Sequence, residues 1–275
     1  MEVILADYLG FCYGVKRAIT IAQENASSDG KACTLGPIIH NPQMVERLRN
    51  EGVGTVDELA EMDEGTIIIR SHGVGPKIYA EAKKRGLELV DATCPHVKKA
   101  QLSAKALVDD GYSVVIIGEK RHPEVHSIFE WSDGKAAIVE TEEEAEALHS
   151  CAKLGIVCQT TFSGAKFKQI VSRLLEKSRD IRIQRTICTA TDQRQAAALA
   201  LAAKVDLMLV IGGKNSANTT RLARICEEKC LTYHIETAEE LQDEWFDKIE
   251  KIGITAGAST PDWIIKEVYK KCQNR

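Results

Sequence analysis

Apolar residues along this chain fall into two alternating patterns. Short runs that alternate or are apolar throughout occur at VILA (3–6), TIIIR (66–70), LELV (87–90), YSVVIIG (112–118), AAIV (136–139), LGIVCQT (154–160), IRIQRT (181–186), VDLMLVIGG (205–213) and KIGITAG (251–257). Their length and β-branched content predict strands. Between them, apolar positions three and four apart in VKRAITIAQENA, NPQMVERLRNEG, PKIYAEAKKRG, HVKKAQLSAKALVDDG, FSGAKFKQIVSRLLEKS, TDQRQAAALALAAK and NTTRLARICEEK predict helices. Several of these end in Gly or Asp–Gly, as helix C-termini do. Strands alternating with helices imply an α/β chain of mostly parallel sheets with helices on both faces. The acidic run ETEEEAEALHS (140–150) predicts a solvated helix.

Three stretches share one plan, in which a strand ends, a cysteine follows and a helix begins: ADYLGFCYGVKRA, LVDATCPHVKKA and IQRTICTATDQRQAA. Their cysteines, Cys12, Cys94 and Cys188, are 82 and 94 residues apart. That spacing predicts three related α/β modules of about 90 residues each. With no linker-like segment to guide the cuts, boundaries just past the second and third cysteines give 1–95, 96–190 and 191–275. Ligands gather beyond the carboxyl ends of strands in such sheets, so modules facing one another would bring the three thiols to one point. Thiols at helix starts are also those that ionise readily and bind metal.

Composition narrows the function. A net charge of −4 and 5% aromatic residues speak against a nucleic-acid partner. No stretch is long and apolar enough to span a bilayer, and the start, MEVILADYLGFCYGV, has no basic region. A cytoplasmic protein is expected. Nine cysteines, an odd number, in a chain able to build its own core disfavour a disulfide framework.

Candidate chemistry concentrates at strand ends. No C-x-x-C pair occurs. Cys226 and Cys230 sit in an ordinary amphipathic helix, Cys158 in a buried-looking strand, and Cys33, Cys151 and Cys272 lack polar ligand neighbours. All six read as structural. Three thiolates from Cys12, Cys94 and Cys188 suit either an iron–sulfur cluster with one open iron or zinc with a water. His40, His72 and His122 each follow a strand-like run among Gly or Pro, as a shared anion pocket would require. Thr160 and Thr161, Ser216 and Asn218 in GGKNSANTTR, and Ser259 add hydroxyls and an amide. Gly-Gly-Lys-Asn-Ser before a helix suits a phosphate, since helix N-termini favour anions. Neither a Walker A motif nor G-x-G-x-x-G is present. Glu124, beside metal and anion, would have the tuned pKa of a general acid.

Nine ordered segments carry a resemblance over nearly the whole chain: GFCYGVKRAI, LGPIIHNPQMVERL, RSHGVGP, DATCPHV, GEKRHPEV, CQTTFS, RTICTATDQRQ, IGGKNSANTTRL and ITAGASTPDWII. Together they resemble the 4-hydroxy-3-methylbut-2-enyl diphosphate reductase family of the non-mevalonate isoprenoid pathway. The resemblance implies three pseudo-symmetric modules arranged as a trefoil around one [4Fe–4S] cluster held by Cys12, Cys94 and Cys188. Loss of the unique iron on oxidation would leave [3Fe–4S]. It further implies that this iron takes the substrate hydroxyl, that Glu124 supplies the proton and that Thr160 relays it. The diphosphate would be held by His40, His72, His122, Thr161, Ser216, Ala217, Asn218 and Ser259. Reduced ferredoxin or flavodoxin would supply two electrons to a monomeric enzyme, giving isopentenyl and dimethylallyl diphosphates.

Two departures stand out. Ala217 replaces the second serine of the family's Ser-Ser-Asn, leaving backbone donors to serve there. His126 and Ser127 follow His-Pro-Glu-Val where the family has a glycine two positions on, so the loop expected to carry Glu124 would sit differently. Two rivals, a quinolinate-synthase-like condensing enzyme and a non-catalytic iron or redox sensor, would keep the cysteines. Neither has reason to keep the GGKNSAN segment, Glu124, Thr160 and the three histidines together.

Overall fold

A computed structural model describes residues 1–27 and 31–275. Among these residues, twelve parallel strands form three four-stranded sheets. One sheet contains β2 (Ala32–Leu35), β3 (Gly54–Val56), β4 (Thr66–Ile69) and β5 (Glu88–Asp91), in the order β3-β2-β4-β5. Another contains β6 (Ser113–Ile117), β7 (Ala137–Val139), β8 (Lys153–Cys158) and β9 (Asp180–Ile183), in the order β7-β6-β8-β9. The last contains β10 (Leu207–Ile211), β11 (Leu231–Ile235), β12 (Lys251–Ala256) and β1 (Glu2–Leu5), in the order β11-β10-β12-β1. Within each sheet the order is therefore second, first, third, fourth. The last sheet takes its fourth strand from the start of the chain. A cut at residue 95 groups β1 with β2 to β5, but its partner is β12, with Val3 opposite Ile252 and Ile4 opposite Gly253.

Each sheet is followed along the chain by the same kinds of helix. After the fourth strands come α1 (Tyr13–Glu24), α4 (Pro95–Asp109) and α8 (Thr189–Ala202). After the first strands come α2 (Pro42–Asn50), α5 (Pro123–Trp131) and α9 (Ala217–Glu227). The remaining helices are α3 (Pro76–Arg85), α6 (Glu142–Glu146), α7 (Gly164–Leu174) and α10 (Asp262–Gln273). Proline is the first residue of α2, α3, α4 and α5. There its missing N–H costs nothing and its fixed φ suits the helix.

The chain divides into two compact units: residues 1–16, 40–45 and 189–275, and residues 17–39 and 46–188. In the smaller unit, β10 is apolar and buried along its length, as a strand covered on both faces must be. Leu207, Leu209 and Ile211 pack with Ile264, Ile265 and Val268 of α10. Met208 and Val210 point the other way, onto Ala198 and Leu201 of α8 and Leu222 and Cys226 of α9. In the larger unit β6 does the same, with Val115 and Ile117 on the α7 side and Val114 and Ile116 on the side of α4 and α5. The period-2 alternation thus feeds two apolar layers per sheet and leaves the strand ends to position the site.

Among the described residues, no helix is long and apolar enough to cross a membrane. The acidic run forms α6, shorter than expected, with Thr141 accepting from Glu144 N–H and Ala145 buried beneath.

Candidate active site

The residues singled out by sequence fall at three equivalent places in the repeated plan, all at carboxyl ends of parallel strands. The first place is the residue just before the helix that follows each fourth strand. Cys12 precedes α1, Cys94 caps α4 and Cys188 precedes α8, and all three are half-buried. Each cysteine N–H donates to a carbonyl in the loop after its sheet's third strand: Cys12 to Ala258 at 3.2 Å, Cys94 to Ser71 at 3.0 Å, and Cys188 to Thr160 at 3.0 Å. In this position each thiol lies at the N-terminal, positive end of a helix dipole, where a negatively charged group is stabilised.

The donor set suits a metal group. Three thiols share one backbone environment at helix starts, whereas Cys226 and Cys272 are enclosed in apolar layers. Burial drives the Cys226 thiol up to about 12 and the Cys272 thiol up to about 11. Those two stay protonated and serve as packing.

Sequence reasoning missed the arginines that fix the cysteine turns. Arg17, on α1, donates to Thr93 O at 3.1 Å and Asp91 O at 3.4 Å, the turn that carries Cys94. Arg194, on α8, donates to Gly10 O at 2.7 Å, just before Cys12. The available signal was a basic residue five or six positions beyond Cys12 and Cys188.

The second place follows the first strands and holds His40, His122, Glu124 and the GGKNSAN segment. His122 is the N-cap of α5, and its Nδ1 accepts from Glu124 N–H at 3.2 Å. Accepting through Nδ1 places the ring proton on Nε2 as a donor. Glu124 therefore sits in the first turn of a helix, not in a loop as expected. His-Pro-Glu reads like a turn, but proline at the first helical position starts the helix instead.

Ser216 is the N-cap of α9 and accepts from Thr219 N–H at 3.4 Å. Ala217 and Asn218 form the first turn, where backbone N–H groups point outward. Asn218 is buried, yet among the described residues neither its Oδ1 nor its Nδ2 has a hydrogen-bond partner. A buried amide left in that state is suited to a ligand. Gly212, at φ +142°, leaves no room for a side chain: a Cβ there would lie 2.4 Å from Thr260 Oγ1.

The third place follows the third strands. Thr160 is buried and makes three hydrogen bonds to two residues. Its N–H donates to Glu124 Oε1 at 2.6 Å, its hydroxyl to Glu124 Oε2 at 2.9 Å, and its carbonyl accepts from Cys188. The Thr161 hydroxyl accepts from Gln159 Nε2 at 2.9 Å. Ser259 donates to His40 O at 3.1 Å. His72 meets His122 edge to face, with ring centroids 5.6 Å apart.

Glu124 is 1% exposed, and this burial pushes its pKa up to about 7 despite the two opposing hydrogen bonds from Thr160. Desolvation wins because two hydrogen bonds do not replace the water that a carboxylate gives up. The group is a carboxylic acid poised near neutral pH.

A family model for the LytB protein matches residues 3–273. The chain belongs to the LytB family. A LytB relative from Geobacter sulfurreducens, a 4-hydroxy-3-methylbut-2-enyl diphosphate reductase, is 51% identical over 274 residues, 99% of this chain and 97% of its own. One from Geobacter metallireducens with the same name is 52% identical over 98% of this chain and 96% of its own. A solved (E)-4-hydroxy-3-methyl-but-2-enyl diphosphate reductase, described as the terminal enzyme of the non-mevalonate pathway, is 46% identical with TM-score 0.74 and full coverage of both chains. The Plasmodium falciparum E-1-hydroxy-2-methyl-but-2-enyl-4-diphosphate reductase superposes with TM-score 0.92 over 99% of this chain and 87% of that one, at 29% identity. The LytB fold thus extends from end to end of the described chain, with its three parallel α/β sheets.

Proposed function

We propose that this chain is a 4-hydroxy-3-methylbut-2-enyl diphosphate reductase. It takes up two electrons and two protons, releases the allylic hydroxyl as water and leaves isopentenyl or dimethylallyl diphosphate. Thr160 carries this reading most directly, because it joins a protonatable buried acid to the turn bearing Cys188.

Cys12, Cys94 and Cys188 would hold the [4Fe–4S] cluster, their shared helix-start position being the local observation in favour. When bound, that cluster supplies electrons and a Lewis-acidic iron.

The chain's own residues supply binding and proton control. Glu124 Oε1 is fixed as an acceptor by the Thr160 N–H, so a proton taken up by the carboxylate resides on Oε2, and the bond that the Thr160 hydroxyl donates to Oε2 then reverses. The threonine hydroxyl can accept that proton and pass its own on, which makes it a relay. His122 Nε2–H, His40, His72, Thr161, Ser216, the Ala217 backbone, Asn218 and Ser259 would hold the diphosphate. Neutral donors and helix-end amides suit an anion that must also be released. Along Ser216, Ala217 and Asn218, one backbone amide stands in place of a hydroxyl.

Two reducing equivalents would come from ferredoxin or flavodoxin, and the enzyme would act as a cytoplasmic monomer. None of the nine cysteines is joined in a disulfide among the described residues, as suits a reducing compartment.

Anaerobic turnover of the diphosphate by reconstituted protein, driven by dithionite and a viologen, tests the reading. Both five-carbon diphosphates should form, and Glu124→Gln should slow the reaction by roughly 10²–10⁴-fold, the usual worth of a general acid. Absence of turnover by protein with an intact four-iron cluster would refute the assignment.

A further inference from the structure

The larger unit holds a cleft of about 700 Å³ that the proposed chemistry does not use. Thr93 and Pro95, the residues on either side of Cys94, line it. Arg182 and Gln184 line it too, on the segment that runs into Cys188. Its apolar part includes Leu102 of α4, which is 49% exposed. Among the described residues, its charged lining is Arg17, Lys98, Lys99 and Arg182 against a single acid, Asp91, an excess of three positive charges. Asp91 is already engaged by the Tyr79 hydroxyl, the Thr93 N–H and Lys98. None of His72, His122, Glu124 or Thr160 lines the cleft.

We infer that this cleft is the docking surface for a small acidic one-electron carrier protein. The inference rests on the reductase reading, which requires an outside reductant. An exposed apolar side chain beside charged ones is a combination found at protein interfaces. A cationic rim selects an acidic partner and steers its approach. Small, weak, charge-guided interfaces are typical of electron-transfer encounters. The position matches the task, since one peptide unit of about 3.8 Å separates Cys94 from either of its lining neighbours. In each docking event the carrier would be oxidised by one electron, which would pass to the group that Cys12, Cys94 and Cys188 would hold. Two events supply the pair the reaction consumes, and the protons arrive separately.

The test uses the reconstituted holoenzyme and an acidic ferredoxin, with Lys99→Glu combined with Arg182→Glu. Both side chains are exposed, and Arg182 gives up a surface pair with Asp110 and a cation–π contact 4.7 Å over the Tyr112 ring. Calorimetric Kd for oxidised ferredoxin should rise at least about 10-fold at low salt, and its salt dependence should flatten. Viologen-driven turnover should not change. An unaltered Kd and salt slope would overturn the docking site, as would an equal loss of viologen-driven turnover. Loss of inorganic pyrophosphate binding with ferredoxin binding intact would make the cleft a small-anion site instead and likewise overturn the inference. Absence of viologen-driven turnover in the unsubstituted holoenzyme would count against the reductase reading, while the binding measurement would still decide the docking site.

Discussion

At Glu124 the burial that suits proton donation works against folding. Its pKa is raised to about 7 in the native state, whereas an unfolded glutamate titrates near 4.3. The native state therefore holds this proton more tightly, and the group's contribution to stability is complete below pH ~4.3. That contribution is lost as pH rises through about 7, a difference of roughly 3–4 kcal/mol. A glutamine side chain at this position would stay neutral throughout. Glu124→Gln should match the parent in denaturant stability at pH 4 and exceed it at pH 8.5, by an amount approaching that figure. A variant no more stable at pH 8.5 would show that the carboxylate is not desolvated as described. The same titration predicts that turnover declines as pH rises past neutrality, because the donor form disappears. Neither the burial nor the pinning by Thr160 is visible in the sequence, which shows only a Glu in His-Pro-Glu.

Helix α5 shows what the element scale adds. Ser127, in its second turn, can donate to Glu124 O at 2.8 Å or to His72 O at 3.1 Å, and it accepts from Gln101 Nε2 at 3.1 Å. The residue that stands where the family has glycine thus ties the acid's helix to the histidine turn. Ser127→Ala would strand a buried amide and a carbonyl, at a cost of about 1–3 kcal/mol. Because the connection reaches His72 rather than the Glu124 carboxyl, KM for the diphosphate should rise several-fold while kcat stays within about 2-fold. A fall in kcat with KM fixed would mean that Ser127 acts through the acid instead.

The elements that were hard to read have physical reasons. Strands β6, β8, β10 and β12 are apolar runs of five or six residues and β4 holds three consecutive isoleucines, and all were legible. β2 is Ala-Cys-Thr-Leu and β3 has three residues, too short for any period to show. In β11, Leu231 is exposed and three central residues are half-buried, so the run looks mixed. Helix α10 was overlooked for another reason. Its buried Ile264, Ile265, Val268 and Cys272 keep helical spacing, but the Ser-Thr-Pro before it reads as loop.

For the whole molecule, three cysteines in like surroundings revealed a threefold plan, while the strand membership of the last sheet stayed hidden. Local pattern announces that a segment is a strand, and only long-range pairing decides its neighbour. β1 reads as the opening strand of the first module, yet it completes the sheet of β10 to β12, with Glu2 N–H donating to Glu250 O at 2.8 Å and Ala6 N–H to Ile254 O at 2.9 Å. Closing a sheet with strands from both ends of the chain gives contacts of maximal sequence separation, which form slowly and late. It also makes the chain's first residues a structural part of the unit that contains Cys12, Ser216 and Ser259. Removing residues 1–5 should turn β12 into an edge strand. Amides of Lys251–Ala256 that face β1 should then exchange with solvent at close to unprotected rates, while those of β4 and β8 keep their protection. Were β1 instead part of the sheet that follows it in sequence, the lost protection would appear in β2 to β5 and leave β12 untouched, so the map of exchange decides between the two arrangements.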